Sequence, residues 1–494
     1  QNQTLYIFDL YESLRTKKIT RQTLSKYNEV YDLKVIEKLA LLGLNHSRYG
    51  VQKVKPTLEQ LFEESIGEGS FQRNQNAIFD LVRRYFKTLH DTDVWSHYNN
   101  VEHKFTTALH ALSEQGLNIS ESDLKEELAN LERSRNQHVQ KLSVLKVFDI
   151  DKPSLINYLT DKFTLNEAKL LISQLERHGA KPLRNSDYSF EHLHGIEKTE
   201  RAARIVQTLL ALSRNVKPHY QIVGTSTSRC TSRSPNLMNL PKESRHILKA
   251  GQGNSIIECD YKQMEIGVLA ALSGDQQLIS DFNTGDVYEK FGTALAVSRE
   301  QAKVVLLGLI YGMSASTIAI QLGVTNVIAE TYINSFFARY PDVKKYQNEL
   351  VTQGTNQGYV TSCTGLRRSA NRDIEKSSSI LNWEQNWFKN FPIQASAAAV
   401  FKLSIVELAR ELHGEQFKLL VPHYDAIVFE VPEEQTNHYT AQVKAAMHRA
   451  MKKQFPILEP QIDVKSCGKS WGEQIQEVNT SDLCQRQGID DLPF

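Results

Sequence analysis

Apolar positions along the chain fall mostly at helical spacing, broken by two places where they alternate or run continuously. Residues 1 to about 95 mix short strand and helix patterns with polar interruptions. In 101–114, Phe105, Leu109 and Leu112 recur at helical period and Gly116 ends the run. Longer helices are expected at 121–147, 165–178 and 197–214. From 216 to 250 the chain turns to loops rich in Ser, Thr and Pro. Ile256–Asp260 is a short apolar strand that ends in an acid and leads into a helix. Helical spacing returns from 275 to about 390, and an Ala-rich helix is expected at 395–412. Two strands follow, at about 417–423 and 426–431, with Tyr424 and Asp425 between them. Residues from about 477 are polar and read as a flexible tail. No internal repeat and no low-complexity tract is seen.

Composition narrows this picture only a little. A chain of 494 residues that is 40% hydrophobic has room for several domains. Lys+Arg number 58 and Asp+Glu 57, so net charge points to no polyanionic partner. Charge is local instead: Lys217, Arg229, Arg233, Lys242, Arg245 and Lys249 share one stretch with a single acid, Glu243. Such a strip is either a solvated face or a track for phosphates. Five cysteines without a CxxC pair argue against a disulfide framework or a zinc site, and for a reducing compartment. No run of about 18 apolar residues suggests a membrane span. No signal-peptide pattern is seen in a chain that opens at Gln1.

The candidate chemistry begins with acids at strand ends. Asp260 closes IIECD and Asp425 sits in the turn of LLVPHYDAIVFEV. Singly, each reads as a turn residue. Brought together on one sheet, they could hold two Mg²⁺ ions about 4 Å apart, an arrangement that stabilises the attacking and leaving oxygens of phosphoryl transfer. Arg299, Lys303, Leu307 and Tyr311 recur every fourth residue, so they share one helix face. That stripe is either an amphipathic face with exposed cations or a grip for a triphosphate beside a base.

Together these segments resemble the family A DNA polymerases, the bacterial DNA polymerase I type. Asp260-Tyr-Lys-Gln263-Met-Glu265 is similar to the family's motif A, Arg299–Gly312 to motif B, and His423-Tyr424-Asp425-Ala-Ile-Val-Phe-Glu-Val to motif C. Thr227–Pro241, Phe148–Leu155, Gly365–Arg368, Asn390–Ala398 and Gly468–Trp471 resemble further family segments. The matches run in family order from about residue 100 to 475.

The resemblance implies an α+β right-hand fold, with an antiparallel palm sheet, helical fingers and a helical thumb. Expected boundaries are 96–215 for the thumb, 216–274 and 391–476 for the palm, 275–390 for the fingers and 477–494 for the tail. It implies extension of a primer 3′ end with dNTPs, using two Mg²⁺ ions for which Mn²⁺ can substitute. Asp260 and Asp425 would hold the metals. Arg299 and Lys303 would contact the triphosphate, with Lys303 catalytic, and Gln263, Tyr288, Leu307 and Tyr311 would complete the dNTP site. Glu265 would block a ribose 2′-hydroxyl. Arg229 and Gln394 would read minor-groove acceptors, which look alike in every correct pair. Asn236, Asn239, Arg367, Asn390 and Tyr424 would also face DNA.

Departures at five positions stand out. Leu307 replaces an aromatic residue, so stacking on the incoming base should weaken. Tyr424 and Ala426 replace the His and Glu that flank the motif C aspartate. Gly267 replaces an Arg, and Tyr288 replaces a His. A single-subunit RNA polymerase shares the hand, but Glu265 argues against it. A DNA-binding scaffold without catalysis would not be expected to keep Asp260, Asp425 and Lys303.

Residues 1–95 read as an α/β exonuclease-like remnant, or a truncated domain, without activity. Asn28–Asp32 resembles the NxxxD motif of that domain and Arg48–Val51 a following segment. Asp9 lies too close to be its first acid, Tyr11 stands at the DxE partner position, and a third motif is unclear near Phe71–Asp80. At the other end, Asp490-Asp491-Leu-Pro493-Phe494 resembles the acidic tip of bacterial single-stranded DNA-binding proteins, a peptide suited to a basic-rimmed pocket on a replisome protein. A disordered acidic tail and a sliding-clamp peptide beginning near Gln487 are the other readings. The setting implied is a monomer, away from membranes, in the cytoplasm of a bacterium or a phage-infected host.

Overall fold

The computed structural model describes residues 3–44, 46–47, 50–51, 57–64, 70–144, 187–212, 215–370, 378–412 and 416–472. The helix expected at 165–178, the segment 148–155 and the tail with Asp490, Asp491, Pro493 and Phe494 lie outside them. So do Arg48, Tyr49 and Cys484.

The centre is a four-stranded antiparallel sheet, ordered Lys418–His423, Ala426–Pro432, Asn254–Tyr261, Ile462–Gly468. Asn254–Tyr261 is a central strand with both faces covered, which is why its apolar run is nearly continuous. Its alternate residues still separate. Ile257, Cys259 and Tyr261 join one large core, together with Ile427, Phe429 and Val431. Ile256 joins a second core with Val428, Cys467 and Trp471. Side chains two apart share a face, so Asp260 projects on the side of Ile256 and Glu258.

Helices cover the first face. Thr436–Gln454 packs beside a 34-residue helix, Ser378–Glu411. The sequence pattern places the start of the Ala-rich helix near 395. Instead the helix runs through Pro392, crossing the expected fingers–palm boundary at 390/391. Proline removes one backbone hydrogen bond there. Phe391, Ile393 and Val400 are fully buried, and that packing carries the helix across. Part of this helix, Glu384–Glu411, is long and apolar enough to cross a membrane by length and composition, and 89% of its apolar window is buried in the protein. Its hydropathy is that of a core helix, a case that counting uninterrupted apolar residues did not register.

On one side of the sheet, Glu121–Val144 and Asp187–Ala211 pack along each other. Six helices lie between Gln276 and Gln357, and Leu278, Phe291, Leu306 and Phe336 from them join the first core. That lobe is not wholly helical. Gly358, at φ 74, ends the helix Pro341–Gln357, and a hairpin of Tyr359–Thr361 with Arg367–Ser369 follows. The helix expected from 101 begins instead with a π-turn, Tyr98–Glu102, and continues as His103–Ser113.

In the N-terminal part, Thr4–Ile7 and Glu29–Asp32 form a two-stranded parallel sheet beside Leu33–Leu44 and Ser70–Asp91. Asp32 is buried, and its carboxylate accepts the N–H groups of Leu10, Lys34 and Val35. Asp9 is paired with Lys34 at 2.7 Å and with His219 at 3.3 Å.

Candidate active site

The two aspartates are brought together by register. Asp260 stands opposite Ala426, and the Tyr261 N–H donates to the Asp425 carbonyl at 3.1 Å. Asp425 therefore sits in the tight turn immediately beside Asp260. The preceding residue, Tyr424, is in the left-handed region at φ 62, a conformation that costs a non-glycine residue about 1 kcal/mol. Its hydroxyl donates to Asn239 Oδ1 at 2.9 Å, which ties the turn to the loop below.

The electrostatics of this pair are unsettled in a chemically informative way. Burial and then the Asp260 charge push the Asp425 carboxyl well above the usual carboxylate range. Burial also raises Asp260, with Lys465 pulling the other way. Asp260 Oδ1 is buried without a hydrogen-bond partner. Two like charges and an unsatisfied acceptor fit a bound cation. Among the described residues no group of three or more His, Cys, Asp or Glu could hold a metal ion. A two-carboxylate donor set suits Mg²⁺, which keeps several waters and takes substrate oxygens.

The basic stripe lines the same cleft as these acids. Ser298 and Gln301 form a capping box that starts the helix Arg299–Ile310, and Tyr311 is its C-cap. Asp260, Gln263, Glu265, Tyr288, Arg299, Lys303, Leu307, Tyr311, Tyr424, Asp425 and Arg229 all line one cleft of about 340 Å³. Gln263, at φ 55, accepts the Val287 N–H through Oε1 at 3.0 Å. Arg229 pairs with Glu265, and the Tyr311 hydroxyl donates to the same carboxylate.

The remaining candidates lie outside that lining. Gln394 is buried on the long helix, and Asn390 Oδ1 is buried with no hydrogen-bond partner. Arg367 stacks on the Tyr359 ring at 3.6 Å, and Asn236 is near Ser232 at 3.4 Å.

Sequence reasoning missed four residues here. Asp286 caps the helix Val287–Leu295 and holds Arg299 through Nη2 at 2.8 Å and Nε at 3.1 Å. Its place after Gly285 and before an apolar run was a readable N-cap signal. Asp463 stands opposite Asp260 and lines the cleft, as does Lys262. Lys465 lies 2.6 Å from Glu258 and 3.6 Å from Asp260. No local pattern marks Asp463 or Lys465, because strand pairing alone puts them there.

Residues 115–473 match the model of DNA polymerase family A. The chain belongs to DNA polymerase family A. Among curated members of the family it is 32% identical to the DNA polymerase I of Lactococcus lactis subsp. lactis over 268 residues, 50% of this chain and 30% of that protein. The Bacillus subtilis DNA polymerase I is 26% identical over 488 residues, 90% of this chain and 53% of that one. The chain spans about half or less of the length of these relatives. The fold matches the POL domain of Pol1 from M. smegmatis, solved in complex with DNA primer-template and dNTP. The TM-score is 0.73 at 21% identity, covering 95% of this chain and 86% of that one. This family A chain therefore has the α+β polymerase fold.

Proposed function

We propose that the chain extends a DNA primer on a template. The primer 3′-hydroxyl oxygen attacks the α-phosphorus of a dNTP, a new P–O bond forms, the bond to pyrophosphate breaks, and the hydroxyl proton is released to water. One observation carries this reading: Asp260 and Asp425 share a cleft with Arg299 and Lys303. Carboxylates and cations lining one cleft suit a triphosphate reacting at its inner phosphorus.

Asp260 and Asp425 are the residues to hold two Mg²⁺ ions, with Mn²⁺ as a substitute. Bound there, the ions supply Lewis-acid activation and charge balance. Lys303 and Arg299 neutralise charge on the departing pyrophosphate, and Asp286 keeps the Arg299 guanidinium aimed. Glu265, gripped by Tyr311 and Arg229, closes the sugar side against a 2′-hydroxyl. Arg229, Gln394, Asn236, Asn239, Asn390, Arg367 and Tyr424 serve the primer-template.

In this reading the sheet is the palm, 275–390 the fingers, and the paired helices within 96–215 the thumb. Residues 1–95 carry no nuclease activity. The three N–H groups on Asp32 and the Lys34 ammonium on Asp9 support that, because both acids already have partners. The enzyme works as a monomer in a bacterial or phage-infected cytoplasm, and the tail ending in Phe494 docks on a replisome protein.

Primer extension tests the central claim. The wild-type chain with Mg²⁺ should extend a primer by the templated nucleotide. A chelator or Asp425→Ala should reduce extension by several orders of magnitude. Extension that survives Asp425→Ala sinks the assignment.

A further inference from the structure

Behind the cleft, one group of charges is buried without touching it. Glu102, the last residue of the π-turn, has no exposure, and Lys402 of the long helix has 1%. The Lys402 ammonium lies 2.6 Å from Glu102 Oε2, 3.0 Å from the Ile222 carbonyl and 2.9 Å from Ser228 Oγ. The Ser228 hydroxyl donates in turn to Glu102 Oε1 at 2.6 Å. His97 Nε2 lies 2.9 Å from that same oxygen. Three ammonium protons meet three acceptors, and the one hydroxyl proton meets a carboxylate.

Such a pair is weak evidence for stability, because removing two charges from water costs several kcal/mol per ion. Its geometry suggests another role. Ser228 is held in the left-handed region at φ 58. Its N–H donates to the Thr225 carbonyl at 3.0 Å, and Arg229 N–H donates to Thr225 Oγ1 at 3.0 Å. The next side chain is Arg229, which leaves the turn on the cleft side and reaches Glu265. A residue in a costly backbone conformation persists where its surroundings over-determine it. Here the surroundings are Glu102 and Lys402.

We propose that the buried Glu102–Lys402 pair, acting through the Ser228 hydroxyl, is a positioning device that fixes Arg229 in the cleft. The proposal rests on the reading of Arg229 as a primer-template contact. It assigns a function to three residues, 102, 228 and 402, that come from separate parts of the chain and touch no reacting atom.

A double-mutant cycle tests it. Ser228→Ala, Arg229→Ala and the pair are compared for kcat/KM of single-dNTP insertion, with primer-template affinity read in parallel. Ser228→Ala should lower kcat/KM by about tenfold in the wild-type background and less than about twofold when Arg229 is already Ala. A Ser228→Ala loss of equal size in both backgrounds overturns the proposal, as does no loss in either. Ser228→Gly removes the same hydroxyl while relieving the backbone, and it replaces Ser228→Ala if that variant melts early. If the wild-type chain extends no primer, the polymerase reading has failed, and the cycle is then closed on DNA affinity, where additive losses overturn the positioning role by themselves.

Discussion

The Tyr311 hydroxyl donates to Glu265 Oε2 at 2.8 Å. Arg229 takes the other oxygen, so the carboxylate is held from two sides at the edge of the cleft. A side chain fixed in that way acts as a wall. Glu265→Ala should raise rNTP use relative to dNTP use by roughly 10- to 100-fold, the scale of about 1–3 kcal/mol of discrimination. Tyr311→Phe keeps the ring and loses one donor, so it should shift the ratio the same way by less. Ratios of kcat/KM for matched rNTP and dNTP measure both. An unchanged ratio in Glu265→Ala would place the carboxylate away from the sugar.

Leu307 stands in the same wall, partly buried against the core. It is branched and apolar, and it offers no π-face to a base. Base–aromatic stacking is worth about 1–3 kcal/mol. Leu307→Phe should therefore lower the KM for dNTP about fivefold or more while changing kcat little. Steady-state insertion kinetics would show it. A higher KM would mean that the pocket has closed around leucine and rejects the larger ring.

The parts of the site that were legible in the sequence are those set by short-range pattern. Arg299, Lys303, Leu307 and Tyr311 declare one face because helical period links every fourth residue. Asp260 and Asp425 declare strand ends because an acid interrupts an apolar run. Their meeting depends on register, which no local pattern gives, and only the resemblance anticipated it. Long-range partners stayed hidden for the same reason. Lys465 reaches Glu258 across 207 residues of chain, and Lys402 reaches Glu102 across 300. Pro392 works in the opposite sense. Its local rule says stop, and the buried surface around it overrides that rule.

Trp471 joins the far strand to the loop beneath the sheet. It is fully buried, donates through Nε1 to Glu258 Oε2 at 2.8 Å, and lies under the Arg245 guanidinium at 4.3 Å. Trp471→Ala should cost about 3–5 kcal/mol of stability. Trp471→Phe fills most of the space but leaves the Glu258 oxygen short of a donor, at about 1–3 kcal/mol. Urea unfolding would rank them. Equal losses would mean that the Nε1 hydrogen bond to Glu258, and not the filled volume, sets stability at this position.

The Glu102–Lys402 pair makes stability depend on acid. Burial pushes the Glu102 carboxyl up, but the Lys402 ammonium and the His97 hydrogen bond outweigh it and hold the group at about 2 against an ordinary 4.5. An acid with a depressed folded value contributes stability that is complete above the unfolded value and lost as pH falls through the folded one. Relative to the protonated carboxyl, the ionised Glu102 is favoured by about 3 kcal/mol more in the fold than in the unfolded chain, and about 2 kcal/mol of that preference should be gone by pH 3. Other carboxylates titrate over the same range, so the comparison needs a reference that lacks this pair. Glu102→Gln combined with Lys402→Met removes both charges together, which avoids stranding either one. Between pH 6 and pH 3 the wild-type chain should lose about 2 kcal/mol more than this double variant in urea unfolding. Parallel losses in the two proteins would show that the buried pair does not titrate with folding.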